Sequence, residues 1–446
     1  MKKIFILSVL CAFALAGCAE QEKISSESIT EPVTTAEETT ESETEAVTET
    51  ETEPETQPTE PYVHGDDGYF NLAEEGNQFT MGSQVQGTCW VFAGAAAMES
   101  AYSMKNGSSV EIDPLEIVDI IYNKEHPEGF FLADGVNKRD IGGYALFIGE
   151  TLSNGFGGLT VDRTVALKAV DSDDQNECIV DIGTEKIKDY VRSNGAVVIS
   201  VLDFDEKKGW NHGYFTMNDP VHDEPDHDVA LIGWDDHFPK EYFNVPAKND
   251  GAWICYNSSL GSAGYYYISY DTGFYEAFGL SVTDEYSDVL SYDCGTGYDF
   301  FISLGDETAI ANVFNKPGTL AAVGTFCHIP DEEITIEVYT EDFSELLYSQ
   351  DAVLDYSGYH TIKLDKPMKV DKYALAIRYK GTAPVEPDYF SCDDNDNITF
   401  RAVNEKGQSY VLIGEQWKDL ADEDIKEVLG TDFTPKNACI KALYTN

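Results

Sequence analysis

Hydrophobic periodicity is clear in most of this chain and almost missing from one long stretch near its start. Residues 4–14 are an apolar run behind the basic Met1-Lys2-Lys3. The run is too short to cross a bilayer and reads as the core of an export signal. From Ala19 to Pro61 the pattern disappears into Glu, Thr, Ser and Pro. Such a segment cannot bury enough surface to offset its ordering entropy, so it is expected to be a disordered tether. Val91 to Ser100 is apolar, alanine-rich and free of proline, which predicts a buried helix with Thr88 as N-cap and Cys89 in its first turn. Pro114 to Tyr122 has helical spacing with Asp113 or Ser109 to cap it, and Glu185 to Ser193 reads as an exposed helix. Short apolar runs at Gly195–Val201, Val229–Trp234 and Ala252–Tyr256 read as buried strands. From about Ser287 the pattern turns all-β. Thr335–Thr340, Tyr359–Leu364 and Tyr373–Tyr379 alternate as half-buried strands separated by turn-rich gaps, and Ala438–Tyr444 reads as a closing strand. The expected class is α+β followed by an all-β sandwich.

Charge sharpens this division. Of the formal −52 carried by 446 residues, about −13 lies in residues 19–61, which hold 14 Glu, one Lys and no Asp. Self-repulsion would extend the tether. The acidity continues through the remaining 385 or so residues, enough for two domains, and argues against a nucleic-acid partner.

Three segments carry candidate chemistry. Cys89 at a helix start would meet unpaired backbone N–H groups and the positive end of the helix dipole, both favouring thiolate. A lone cysteine there is more often structural, so a catalytic role needs partners elsewhere in the chain. His227 opens an apolar strand 138 residues later, within the roughly 130–150 expected of papain-type enzymes, and Asn257 ends the next strand. Gln84 precedes the cysteine by five residues and is placed to offer a side-chain N–H to an oxyanion. His212 and His222 sit in polar, turn-forming sequence and read as loop residues. His237 is expected on an exposed turn, and Asp226 and Asp228 as solvated charges beside His227. No HExxH or paired-cysteine spacing supports zinc, so no metal or other cofactor is expected. Asp393 to Asn397 has the composition of a calcium loop but lacks the glycine and distal glutamate of an EF-hand, and reads as a solvated loop.

Together Gln84…Gly87-Thr88-Cys89-Trp90, His227-Asp228-Val229-Ala230-Leu231-Ile232-Gly233-Trp234, Gly251-Ala252-Trp253-Ile254…Asn257-Ser258 and the following Gly264–Tyr270 strand resemble the papain-like cysteine peptidases. The likeness is to their bacterial surface lipoprotein branch, which carries a C-terminal lectin-like domain. It implies a two-lobe papain-like fold at 62–285 and a lectin-like β-sandwich at 286–446, after a signal at 1–17 and the tether at 18–61. It also implies a Cys89–His227–Asn257 site with Gln84 in the oxyanion hole and a peptide or protein substrate. The Asp140–Leu146 segment, with its Gly142-Gly143 pair, resembles the glycine segment lining the family's substrate cleft. A cell-surface glycan is the ligand implied for the sandwich, against which stands a sandwich that only buttresses the peptidase. Leu15-Ala16-Gly17-Cys18 looks like a lipobox, making Cys18 a lipid anchor and the location the outer side of the bacterial membrane.

The chain departs from the family at three points. Gln84 stands one residue closer to the cysteine than in papain, Gln86 replaces a disulfide cysteine, and Ser259 replaces a tryptophan that normally shields the asparagine–histidine hydrogen bond. A wetter, looser bond is the expected result. The nine cysteines show no recognisable disulfide framework. Two other classes remain. One is a catalytically weak or inactive adhesin that binds glycan through the sandwich. The other is a Cys-His cell-wall amidase, which ranks lower because such domains are usually shorter and lack the Trp253…Asn257-Ser258 segment.

Overall fold

The computed structural model describes residues 62–446 apart from 124, 168–183, 203–208, 212, 220–224, 260–263, 275–276, 296–299 and 394. The signal, the tether, Cys18, Cys178, His212 and His222 lie outside the described residues.

Helix α1 (Cys89–Asn106) is buried at every position from Cys89 to Ala101, as its alanine-rich sequence predicts. Small side chains let neighbours approach closely. A Cβ on Gly94 would come within 2.3 Å of Ile148. The helix stops at Gly107, whose left-handed φ of 64° turns its N–H onto Ser103 O. Thr88 occupies the N-cap position but does not cap the helix through its side chain. Its hydroxyl donates to Val85 O at 2.7 Å and accepts from Val85 N at 3.2 Å, tightening the loop before the helix instead. Asp113 does cap α2 (Pro114–Ile121), accepting from Leu115 N at 2.9 Å. Helix α3 (Ala145–Leu152) follows the paired glycines. Helix α4 (Thr184–Asn194) is amphipathic and not exposed on all sides, because Ile187, Tyr190 and Val191 are buried against the sheet.

Six strands of that sheet pair antiparallel, in the order 265–269, 252–256, 227–235, 197–201, 277–283 and 160–167. Its His227–Asp235 strand is buried at all nine positions, having strands on both edges and α1 packed against it. Asp228 is therefore not a solvated charge. It is buried, and its carboxylate accepts from Ser200 Oγ at 2.6 Å on the neighbouring strand.

The C-terminal half is β apart from one short helix at Ile425–Leu429. Two long strands, Thr308–Cys327 and Gly358–Tyr379, pair antiparallel along their length. The expected strands at 359–364 and 373–379 are thus one element. The Asp365–Lys372 stretch, which reads as a turn because of Pro367 and its charges, stays in the strand and absorbs a register shift opposite Leu320/Ala322. The expected closing strand is in turn split at Cys439, with Pro435–Ala438 and Ile440–Thr445 pairing in different sheets.

The two halves are joined by more than the chain. Strand Gly129–Leu132 from the first half pairs with Ile398–Arg401 from the second, and Ala133 N donates to Asn397 O at 2.9 Å. Phe326, Tyr359, Ile398 and Phe400 enter the same apolar core as α1. The Asp393–Asn397 corner belongs to this junction. Asp393 is buried, and its carboxylate accepts from Asn397 Nδ2 at 2.9 Å and Ile398 N at 3.1 Å, so this residue braces the hairpin, while Asn395 and Asp396 are exposed as a solvated loop requires.

Candidate functional site

His227 starts the central strand and Asn257 follows the end of the adjacent Ala252–Tyr256 strand, so antiparallel pairing brings the two together. His227 Nε2 lies 3.0 Å from Asn257 Oδ1, which makes Nε2 the donor because an amide oxygen only accepts. The same oxygen accepts from Ser259 N at 3.0 Å, and the backbone N–H of Asn257 donates to Gly264 O at 2.8 Å. The asparagine is thereby held at its side chain and its main chain. His227 is 2% exposed and Asn257 0%. The loosening expected from Ser259 does not occur, since the surrounding fold shields the bond without a tryptophan at that position.

The loop ahead of α1 runs against this strand end. Gln84 N donates to Ser258 O at 3.1 Å, and Tyr256 Oη donates to Gly82 O. Gln84 Oε1 accepts from Ser258 Oγ at 2.7 Å and Ser259 Oγ at 3.2 Å, while Gln84 Nε2 donates to Gln86 O at 2.9 Å. Gln86 can present its carbonyl this way because it adopts a left-handed φ of 53°. Only an N–H₂ can face a carbonyl, so the amide orientation is set. One of its two N–H bonds is left for another acceptor. Gln86 also accepts, through Oε1, from Asn137 Nδ2 at 3.2 Å, a noncovalent tie between this loop and the Asn137 segment.

Cys89 opens α1 and is 7% exposed. Its neighbour Trp90 packs against Gly143, where a Cβ would fall 2.5 Å from the indole, and Tyr122 Oη donates to Gly142 O at 2.9 Å. The paired glycines therefore seat the start of α1 as a packing requirement. A Cβ on Gly87 would likewise meet Asp140 O at 2.6 Å. Burial pushes the thiols of Cys255, Cys294, Cys327 and Cys439 up, which keeps them protonated and poor nucleophiles. His237 stays on an exposed turn.

Sequence reasoning did not assign roles to Ser258 and Ser259, which link Gln84 to Asn257. The only signal was their place directly after Asn257; a hydroxyl's partner 174 residues away is set by the fold.

A family model described as a lectin-like domain matches residues 287–445. Among curated protein sequences none matches. Two solved structures resemble the chain over most of its length. One is the clostridial cysteine protease Cwp84, in a cysteine-to-alanine form after propeptide cleavage. It has 17% identity and a TM-score of 0.65 over 85% of this chain and 99% of that one. The other comprises the cysteine protease and lectin-like domains of Cwp84, a surface layer associated protein of Clostridium difficile. It also has 17% identity and a TM-score of 0.65, over 88% and 92%. The chain shares the fold of these structures, an α+β unit followed by a β domain, the latter being the part matched as lectin-like.

Proposed function

We propose that the chain is a cell-surface cysteine peptidase that hydrolyses peptide bonds in a peptide or protein substrate. Its Cys89 would be the nucleophile, His227 the base and acid, Asn257 the residue orienting the imidazole, and Gln84 an oxyanion donor. The observation that carries the reading is the buried 3.0 Å contact of His227 Nε2 with Asn257 Oδ1. Pinned through Nε2, the ring presents its other nitrogen for proton exchange with a thiol. The Cys89 thiolate attacks the scissile carbonyl, and the negative oxygen is met by the Cys89 backbone N–H and the remaining N–H of Gln84. The imidazolium gives its proton to the leaving amine, and water activated by the neutral imidazole releases the acyl group. Residues 18–61, anchored by lipid at Cys18, would hold the enzyme off the membrane. The likeness to a surface layer associated protein supports this location.

Labelling with an epoxide thiol-protease inhibitor tests the assignment. The expected result is a single adduct at Cys89, found by peptide mapping. A folded chain that takes no adduct under reducing conditions would sink the peptidase reading. It would leave an adhesin that binds glycan through residues 286–446, a reading favoured by the lectin-like family match.

Ser259→Ala is expected to lower kcat several-fold with little change in KM. It removes a hydroxyl that donates to Gln84 Oε1, yet keeps the N–H that holds Asn257. A change confined to KM would show that Ser259 acts on substrate binding instead.

A further inference from the structure

Where the two halves meet, a buried cluster holds chemistry that the peptidase site does not use. Lys441, on the Ile440–Thr445 strand, and Asp293 both have fully buried side chains. Lys441 Nζ donates to Asp293 Oδ2 at 2.5 Å, to Asn154 Oδ1 at 2.9 Å and to Ser291 Oγ at 3.4 Å. Asn154 lies just beyond α3, and its Nδ2 donates to Asp293 O at 3.3 Å, so the carboxamide is held at both ends. The Phe326 ring stands 5.9 Å from Nζ. Glu386, also buried, has its pKa raised by burial and by the Asp293 charge.

A buried lysine–aspartate pair contributes little net stability, because removing both charges from water costs about what their attraction gains. The same three side chains are also an amine, a carboxamide and a carboxylate able to accept a proton, with the lysine and aspartate held away from bulk water. We propose that Lys441 and Asn154 condense into an intramolecular isopeptide bond, with Asp293 carrying the proton. Asp293 takes a proton from the Lys441 ammonium, and the freed amine attacks Asn154 Cγ. The Nζ–Cγ bond forms and the Cγ–Nδ2 bond breaks. Asp293 returns its proton to Nδ2, which leaves as ammonia and takes up the second proton released from Nζ to become ammonium. No oxidant, cofactor or second substrate is needed. Asn154 is only half-buried, which gives the leaving group a way out. The product replaces a buried ammonium by a neutral amide and ties together positions 287 residues apart. A cross-link over so long a loop restricts the unfolded chain strongly.

Peptide mapping of the full chain under denaturing conditions decides the matter whether or not the protein is an active peptidase. The expected product is one branched peptide joining Asn154 to Lys441, lighter than its two parts by one ammonia, with trypsin unable to cut after Lys441. In Asp293→Ala and Lys441→Arg chains both peptides should be linear at full mass. Linear peptides from the folded natural chain would overturn the proposal. So would a branch lighter by one water, which would place the bond on Asp293. A branch that persists in Asp293→Ala would overturn the role given to that carboxylate.

Discussion

His227→Ala is expected to lower kcat/KM by about 10⁴-fold or more, on the scale seen when one member of a nucleophile–base unit is removed. On the proposed mechanism the loss should be this large, because one imidazole would serve both half-reactions. Without it, nothing at the strand start takes the thiol proton, and nothing protonates the departing amine. Epoxide labelling of Cys89 should fall in parallel, because the thiolate loses its ion-pair partner. Asn257→Ala should cost less. It leaves the imidazole in place but removes the 3.0 Å contact that fixes the ring. Turnover within a few-fold of the unsubstituted chain in the His227 variant would end the assignment. A larger loss from Asn257→Ala than from His227→Ala would mean that Asn257 holds up the fold and does not merely orient the ring.

The largest expected loss of stability lies away from the reacting atoms, at Glu99. This side chain is 0% exposed in the middle of α1, and its carboxylate accepts from Thr80 N and from Ile112 N at 2.8 Å. Glu99→Ala leaves two backbone donors without an acceptor and opens a cavity, so it should destabilise the chain by about 2–5 kcal/mol. The effect would be read as a lower urea midpoint at unchanged slope. Glu99→Gln keeps one acceptor oxygen and should fall between the two. Burial raises the Glu99 pKa above its ordinary value. The folded state thus favours the protonated form. This group's contribution is therefore full below the ordinary carboxylate range and declines as pH rises through the raised value. The glutamine variant should lack that part of the pH dependence. An alanine variant within about 0.5 kcal/mol of the parent, the range of an ordinary surface change, would refute this account of Glu99.

Glu99 also shows where reading the sequence stops. It sits in an apolar run that correctly predicts a buried helix, and the same burial makes a carboxylate there costly unless something pairs with it. The partners are backbone groups on residues 80 and 112, which carry no sequence mark. Asp228 and Asp393 differ from their sequence-based expectation for the same reason. Composition assigns an aspartate to solvent, and only the neighbouring strand or hairpin turn shows that its charge is satisfied inside.

The sequence by itself determined the α+β-then-β order, the buried helix beginning at Cys89 and the apolar strands that carry His227 and Asn257. These follow from periodicity and breakers, which act over a few positions along the chain. The tertiary structure alone decided four further matters. Ser258 and Ser259 hold Gln84, the His227–Asn257 contact stays dry without a tryptophan, the halves share a sheet and a core, and Lys441 meets Asn154 and Asp293. Each depends on groups distant in sequence meeting within a few ångströms. That distance is set by how sheets and helices pack, and local sequence does not encode it.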